Sequence, residues 1–438
     1  MKSKKSNATK KLIPALLLGA SSLALCTNAI AAPVAKATKA APKTTITHNA
    51  FVRALIKGKW GLGLRARYEH VRQDNALKTA RAITLQTLLG YRTGKFHGFS
   101  AYGQLEAVTR LSPRTYNSGM GTSPSKTRYS LITDPSMNIV NQLYLDFDTV
   151  YKTRLRAGRQ VINLDNQRFV GSVGFRQNDQ TFDAIGLQNT FLPGLKVFYA
   201  YVNRVNRIFG PNATMHQDAQ NNNTNFFNVS YSKWQYGTFI AYDYLIDNDK
   251  LAGFSTNSYG LRFHGKAATH IVTFLYTLEY ALQNDAYNNK TAYSAHYAHI
   301  GLGVTKYGVM VRADQETLSG SKHAAGKAFR TPYATLHKFQ GWDDVFLTTP
   351  ATGIVDSYIT VKAVIKPLHG LVLAAIGHNF ASEASSKHFG KEVDAMASKD
   401  WFKHRLTTSV TYGDFYGARA PYVDTKKVWL TVGAHFAG

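Results

Sequence analysis

Over residues 270–283 the chain reads HIVTFLYTLEYALQ. Taken alternately, one set is His270, Val272, Phe274, Tyr276, Leu278, Tyr280 and Leu282, and the other is Ile271, Thr273, Leu275, Thr277, Glu279, Ala281 and Gln283. In a strand these sets lie on opposite faces. One face is greasy with aromatic tips, and the other turns polar around a carboxylate. The pattern recurs along the chain. In 60–71, Leu62, Leu64, Ala66 and Tyr68 oppose Arg65, Arg67 and Glu69. In 98–110, Phe99, Ala101, Leu105 and Ala107 oppose Tyr102, Gln104 and Glu106. In 353–365, Val355, Ile359, Val361 and Ala363 oppose Asp356, Tyr358, Thr360 and Lys362. In 402–415, Leu406, Val410 and Tyr412 oppose Lys403, Arg405, Thr407 and Thr411, and in 427–436 Val428, Leu430, Val432, Ala434 and Phe436 share a face. Helical patterning is confined to a short candidate at 51–57, and 320–345 is ambiguous.

The length of these runs decides what they build. They extend over about ten to fourteen residues, where strands of soluble sandwiches have about five or six. At a tilt near 45°, roughly 9–11 residues cross a bilayer core. The connections alternate as well. Short turns fall near 93–97, 148–152, 190–194, 233–236, 266–268, 305–307, 366–370 and 396–400, and longer loops near 72–80, 111–138, 205–224, 247–255, 284–291, 318–352, 382–388 and 416–425. This predicts an all-β fold: a transmembrane antiparallel β-barrel of about 18 strands, with short periplasmic turns and long extracellular loops. Closure follows because backbone N–H and C=O groups in lipid need partners within the protein. A barrel of about eighteen strands is too wide for wall side chains to fill, so a channel is expected. The greasy set should then face lipid, with Tyr in the interfacial girdle, and the Glu279 set should face the lumen. A soluble sheet of this size would need a covering layer, and no helices supply one.

Composition places the barrel in the cell. The chain of 438 residues is 44% apolar, and Tyr 25, Phe 24 and Gly 34 favour strands and turns. The mean hydropathy of −0.23 shows no bulk greasiness. Lys2, Lys4, Lys5, Lys10 and Lys11 precede an apolar run from Leu12 to Leu25, and Ala29-Ile30-Ala31 gives a cleavage site, so residues 1–31 read as a signal peptide. A retained anchor would need a longer run than one broken by Pro14 and Gly19. Residues 32–54 read as a flexible Ala/Lys/Pro-rich periplasmic leader and 55–438 as the outer-membrane barrel. Cleavage removes five Lys and the only Cys, Cys26, and lowers the formal charge from +26 to +21. The exported chain then has neither disulfides nor thiol chemistry. Its positive charge calls for an anionic partner, and export excludes nucleic acid. The expected partners are outer-membrane lipid and lipopolysaccharide, the barrel-assembly machinery, and an anionic small molecule or polysaccharide.

Several blocks carry a more specific likeness. They are TRLRAGRQVINLDNQRFVGSVGFRQNDQTFDA at 153–184, LPGLKVFYAYVNRVNRIFGP at 192–211, TLEYALQ at 277–283, FRTPYATLHKFQGWDDVFLTTPATGIVDSY at 329–358 and DTKKVWLTVGAHF at 424–436. In this order, from about residue 55 to the C-terminus, the chain closely resembles the alginate export family of outer-membrane proteins. The resemblance implies an eighteen-stranded barrel whose lumen is lined by arginines and lysines with a few acids, a lining that in the alginate exporters conducts an anionic uronate polymer. Those exporters fold a long extracellular loop into the lumen, together with a long periplasmic turn between the sixteenth and seventeenth strands. Here that turn, near 396–400, is short, and the chain ends Phe436-Ala437-Gly438 rather than on the aromatic.

Alternation assigns lumenal charge to Arg65, Arg67, Glu69, Glu106, Arg262, Glu279, Arg312, Asp314, Glu316, Asp356, Lys362, Lys403 and Arg405. Guanidinium is permanently charged and its fork matches a carboxylate, so a ladder of such groups lets an anion hop. The alternative is that many pair across the wall and fill space. Arg159, Arg168 and Arg176 stand among Asp165, Gln167, Gln177, Asn178, Gln180 and Asp183, a density that suits a constriction, an inward loop or a network bracing the wall. Parity sends Arg159 to the lipid face with Leu155 and Ala157, at a cost of about 2–4 kcal/mol, unless a bulge at Gly158 turns it inward, the arrangement expected here. The aromatic content of 318–352 implies a loop packed over or into the outer mouth. No metal or cofactor site is expected: His296 and His299 point to opposite faces, and His97 and His369 sit in turns. Gly301-Leu302-Gly303 lies inside a strand and forms no phosphate loop. The reading is a non-enzymatic channel for passive diffusion or export of anionic solutes, alginate among the candidates. Its rivals are a weakly selective porin, a barrel enzyme and a loop-mediated adhesin.

Overall fold

The computed structural model describes residues 49–112, 115–385 and 387–438. The signal peptide and most of the leader lie outside the described residues. A short helix, α1 (Ala50–Ile56), is capped by the Asn49 side chain, which accepts from the Val52 N–H at 2.9 Å. It spans the last residues assigned to the leader and the first two assigned to the barrel. Its Ala54 carbonyl accepts from the Gly94 N–H at 2.8 Å, which fixes it against the 93–98 turn.

Eighteen strands follow: β1 (Lys59–Gln73), β2 (Ala80–Arg92), β3 (Phe99–Arg110), β4 (Met137–Asp148), β5 (Thr153–Gln160), β6 (Thr181–Asn189), β7 (Leu195–Asn206), β8 (Ala219–Tyr231), β9 (Thr238–Ile246), β10 (Thr256–Ala268), β11 (Thr273–Asp285), β12 (Ser294–Lys306), β13 (Val309–Leu318), β14 (Ile354–Ile365), β15 (Leu371–Ala381), β16 (His388–Trp401), β17 (Leu406–Gly417) and β18 (Thr425–Ala437). Each pairs antiparallel with its neighbours in sequence, and β18 closes on β1 from Gly61↔Ala437 to Gln73↔Thr425. Closure leaves no sheet edge, as lipid requires.

The two faces of β11 separate as its alternation predicts. Phe274, Leu278 and Tyr280 are 46%, 59% and 51% exposed on the outer wall, whereas Glu279 is 2% exposed inside. The opposite rims differ too, with turns such as 307–308 on one and loops such as 161–180 and 319–353 on the other. Two turns lie further along than the sequence suggests, at 269–272 and 402–405, because β10 and β16 continue their alternation to Ala268 and Trp401. The second of these is the short turn between the sixteenth and seventeenth strands.

The interior is not an open tube. The connection 161–180 and the loop 319–353 leave the outer rim and enter the barrel. There Phe169, Phe329, Tyr333 and Phe346 join wall residues Tyr242, Tyr244, Tyr297, Phe380 and Phe415 in one buried cluster. Phe169 sits 5.0 Å from the Tyr242 ring and 5.6 Å from that of Tyr297, and Phe346 sits 4.8 Å from Phe380 and 5.0 Å from Tyr422. Such contacts give the loops an apolar core within a polar lumen.

Candidate functional site

The loop 161–180 docks on β1 and β2. Its residues 174–176 present backbone carbonyls to the wall. Arg65 Nη1 donates to Gly174 O at 2.7 Å and its Nη2 donates to Arg176 O, while Arg67 Nη1 donates to Phe175 O at 2.6 Å. Arg65 Nε donates to Gln177 Oε1 at 2.8 Å, and Gln177 Nε2 reaches Arg65 O at 3.1 Å and Thr84 Oγ1 at 2.9 Å. A planar five-donor fork suits this task, because it satisfies several carbonyls that would otherwise be buried without partners. Arg176 then bridges outward from the loop, to Glu69 at 3.0 Å and to Asp344 of the loop 319–353 at 2.7 Å.

The two loops form one plug. Val170 and Tyr333 share a parallel bridge, the Gly171 N–H donates to Tyr333 O at 2.9 Å, and the Thr335 N–H donates to Gln167 O at 3.1 Å. On the far side the loop 319–353 rests on a wall of the opposite sign. The Asp343 N–H donates to Glu392 Oε1 at 2.8 Å and the Trp342 N–H to Asp394 Oδ2 at 3.2 Å. His378 Nδ1 lies 3.0 Å from Asp356 Oδ1, and Gln340 Nε2 donates to Glu316 Oε2 at 2.7 Å. At this level inward side chains all round the wall are buried, among them Glu69, Gln86, Glu106, Asn228, Glu279, Glu316, Asp356, Asp394, Thr411 and Trp429. The plug therefore covers the upper part of the inner wall.

Beneath it the lumen opens to the periplasmic rim and is basic. Arg92 and Arg156 flank Asp146 at 3.1 and 2.6 Å, and Arg156 stacks on the Tyr144 ring at 3.9 Å. Arg154, 46% exposed, pairs with Asp148 at 2.7 Å. Arg312 holds Asp314 at 2.7 Å, and Lys362 and Lys266 stand on the inner faces of β14 and β10. These cations meet water, unlike the arginines above them.

The residues singled out from sequence divide among these settings. Arg65, Arg67, Glu69, Arg168 and Arg176 belong to the plug and its anchorage. Arg168 is 1% exposed, 3.6 Å from Glu316 and 4.6 Å from the Phe339 ring, and its guanidinium nitrogens have no hydrogen-bond partner among the described residues. Glu106 is buried, with both carboxylate oxygens unpartnered among the described residues. Arg262 pairs with Glu279, which also accepts from Tyr242 Oη at 2.9 Å. Asp314 bridges Arg312 and His299, the latter at 2.9 Å.

The placements of Arg159, Asp183, Lys403 and Arg405 correct the sequence reading. Arg159 does not turn inward. β5 pairs without a bulge, Leu143↔Arg159 on one side and Arg159↔Asp183 on the other, and Leu143 is 60% exposed on the outer wall. Arg159 and Asp183 thus both face outward, as a two-pronged pair at 2.7 and 3.1 Å joined by Asn206 at 3.0 Å. Mutual neutralisation lowers the cost of a charge at that face. Register shifts lie on the flanking strands instead, at Gln104/Leu105 between β3 and β4, at Asp183/Ala184 between β6 and β7 and at Val202/Arg204 between β7 and β8. Arg405, with Lys403, stands exposed in the 402–405 turn, because β17 begins only at Leu406. Other residues of the site escaped the sequence reading. Arg154 and Arg156 share the inward parity opposite Leu155 and Ala157, and Glu392 and Asp394 alternate with Val393 and Ala395, so periodicity carried the signal for all four. Asp343, Asp344 and Lys427 come together only in three dimensions.

An eighteen-stranded closed barrel with an apolar outer wall, charged inner wall and inward-folded loops defines an outer-membrane channel of porin type. Residues 58–308 match the family model described as Alginate export, and the chain belongs to the alginate export family. No curated protein matches the chain significantly. Among solved structures, Pseudomonas aeruginosa OpdK with vanillate is similar at 13% identity and TM-score 0.68, over 88% of this chain and 100% of that one. Acinetobacter baumannii OccAB3 is similar at 13% identity and TM-score 0.69, over 88% and 100%. Pseudomonas aeruginosa OccK2 in complex with glucuronate is similar at 11% identity and TM-score 0.64, over 87% and 99%.

Proposed function

We propose that this channel passes anionic solutes, small carboxylates or an acidic polysaccharide such as alginate, by passive diffusion through the basic vestibule beneath the plug. The observation that carries the reading is the exposed or half-buried cation set Arg92, Arg154, Arg156, Lys266, Arg312 and Lys362, which outnumbers the nearby acids Asp146, Asp148 and Asp314. Low-dielectric walls focus such a field and raise the local anion concentration. Two structural neighbours were solved with carboxylates, vanillate and glucuronate, which supports the same class of solute. The arginines of the upper lumen hold the closing loops, so the conducting form requires the plug to move. Lipid and lipopolysaccharide against the apolar wall, and the barrel-assembly machinery during insertion, are the partners this reading implies. Reversal potential in a salt gradient tests it. The expected sign is chloride preference, reduced in an Arg92→Gln, Arg156→Gln double variant; no anion preference in the open channel retires the reading in favour of a general porin.

A further inference from the structure

We infer that the loop 319–353 is a proton-dependent latch: Asp343 and the wall carboxylate Glu392, packed beside Asp394, hold it down while they are protonated and release it as they ionise. The inference rests on the reading that this loop closes a conducting pore.

Two consecutive residues meet opposite surroundings. Asp344 lies 2.9 Å from Lys427 Nζ, 2.7 Å from Arg176 Nη2 and 2.7 Å from His337 Nδ1. Burial disfavours its charge, yet Lys427, His337 and Arg176 hold its carboxyl well below the usual range. Asp343 makes no ion pair among the described residues, and the Lys427 charge acts on it only at longer range. Asp343 is 2% exposed, and neither of its carboxylate oxygens has a hydrogen-bond partner among the described residues. Its neighbours are acids, and Glu392 Oε2 and Asp394 Oδ1 also lack partners there. The packing is close: a Cβ on Gly413 would stand 2.8 Å from Asp343 Oδ1 and 3.2 Å from Asp394 Oδ1, so those oxygens are at most 6.0 Å apart. At Gly341, whose φ is +83°, a Cβ would clash with the Glu392 carboxylate. Three ionised carboxylates at this spacing repel one another, whereas shared protons turn the contacts into donor–acceptor pairs.

Every packed element contributes to the local charge. The loop itself brings Asp344 and His337, β13 brings Glu316, and β14 brings Asp356. His378 on β15 stands between Asp356 at 3.0 Å and Asp394 at 3.5 Å. β18 supplies Lys427, and the loop 161–180 supplies Arg176 and Arg168, the latter facing Glu316. β17 faces the cluster through Gly413, without charge. Arg176 and Lys427 are engaged by Asp344, and His378 is shared between two acids, which leaves Asp343 and Glu392 without a dedicated cation. Burial pushes the Asp343 carboxyl up to about 8, with Lys427 opposing and Asp394 and Asp344 adding to the rise. A released, solvated Asp titrates near 3.9. The docked loop therefore binds the proton more tightly than the released one. Docking is fully favoured below about pH 4, weakens by up to about tenfold per pH unit between about 4 and 8, and levels off above.

The test is single-channel recording of the full chain in planar bilayers from acid to alkaline pH. Wild type, Asp343→Asn, Glu392→Gln and a deletion of 325–345 are compared, with folding checked by heat-modifiable mobility. Wild type should open more often as pH rises, by at least about tenfold across the window. Asp343→Asn should stay closed throughout, because its amide donates to the wall carboxylates without charge, and Glu392→Gln should flatten the response. The deletion should conduct at every pH. A pH-independent wild type, or an Asp343→Asn channel that titrates like wild type while the deletion conducts, overturns the latch and leaves the closure reading intact. A deletion that never conducts removes the closure reading and the latch with it.

Discussion

The two sides of the plug are built on opposite electrostatic principles. Toward β1 and β2, wall guanidiniums meet loop carbonyls, with Arg65 and Arg67 donating to residues 174–176 and Arg176 closing on Glu69. Most of these groups have partners of the right kind. Toward β16, loop carboxylate meets wall carboxylate, and Asp343, Glu392 and Asp394 all keep unpartnered oxygens among the described residues. Buried polar groups stabilise a fold when satisfied and oppose it when they are not. The first contact is thus a brace and the second a weak point. A channel that must open needs both: a part of the plug that stays registered to the wall, and a part that lets go.

The largest effect should come from the residue that joins the two sides. Arg176→Ala removes the contacts to Glu69 and Asp344 and strands a buried glutamate, a loss of about 3–5 kcal/mol of plug docking. The expected outcome is a channel that opens spontaneously and a loop 161–180 that becomes protease-sensitive. An unchanged closed-state lifetime would show that the brace lies elsewhere. A smaller effect is expected from Arg65→Lys. The ammonium keeps the charge but cannot reach Gly174 O, Arg176 O and Gln177 Oε1 together, so docking should weaken by about 1.5–3 kcal/mol. Closed-state lifetimes should shorten without a change in ion preference. A shift in reversal potential with unaltered gating would instead make Arg65 part of the solute path.

How much of this was legible in the chain depends on where the partner of each residue lies. The wall was legible because a strand repeats every two residues, so Leu278 and Glu279 declare their faces from local sequence alone. The same periodicity held the vestibule arginines Arg154 and Arg156 and the acids Glu392 and Asp394. Arg159 shows its limit. Parity pointed outward, the expected cost of a lipid-facing arginine argued inward, and the structure resolves the conflict with Asp183 on the same outer face, a partner found only once β5 and β6 are paired. The path of 161–180 was illegible in detail because GFRQNDQ has no period and its contacts, to β1, β2, β4 and the loop 319–353, lie elsewhere in the sequence. Asp343 and Asp344 are chemically identical neighbours in the chain, and only the arrival of Lys427 and Arg176 beside one of them sets their roles apart.

The central claim is that a conducting barrel lies beneath a plug of its own loops. Single-channel conductance of the chain lacking residues 325–345, compared with the intact chain in the same bilayer at pH 6, tests it most directly. The account predicts a largely silent intact protein and a stable conducting deletion variant, with mean current at least roughly tenfold higher, as expected for a barrel of this strand number freed of its filling. Equal conductance from the two proteins would contradict it.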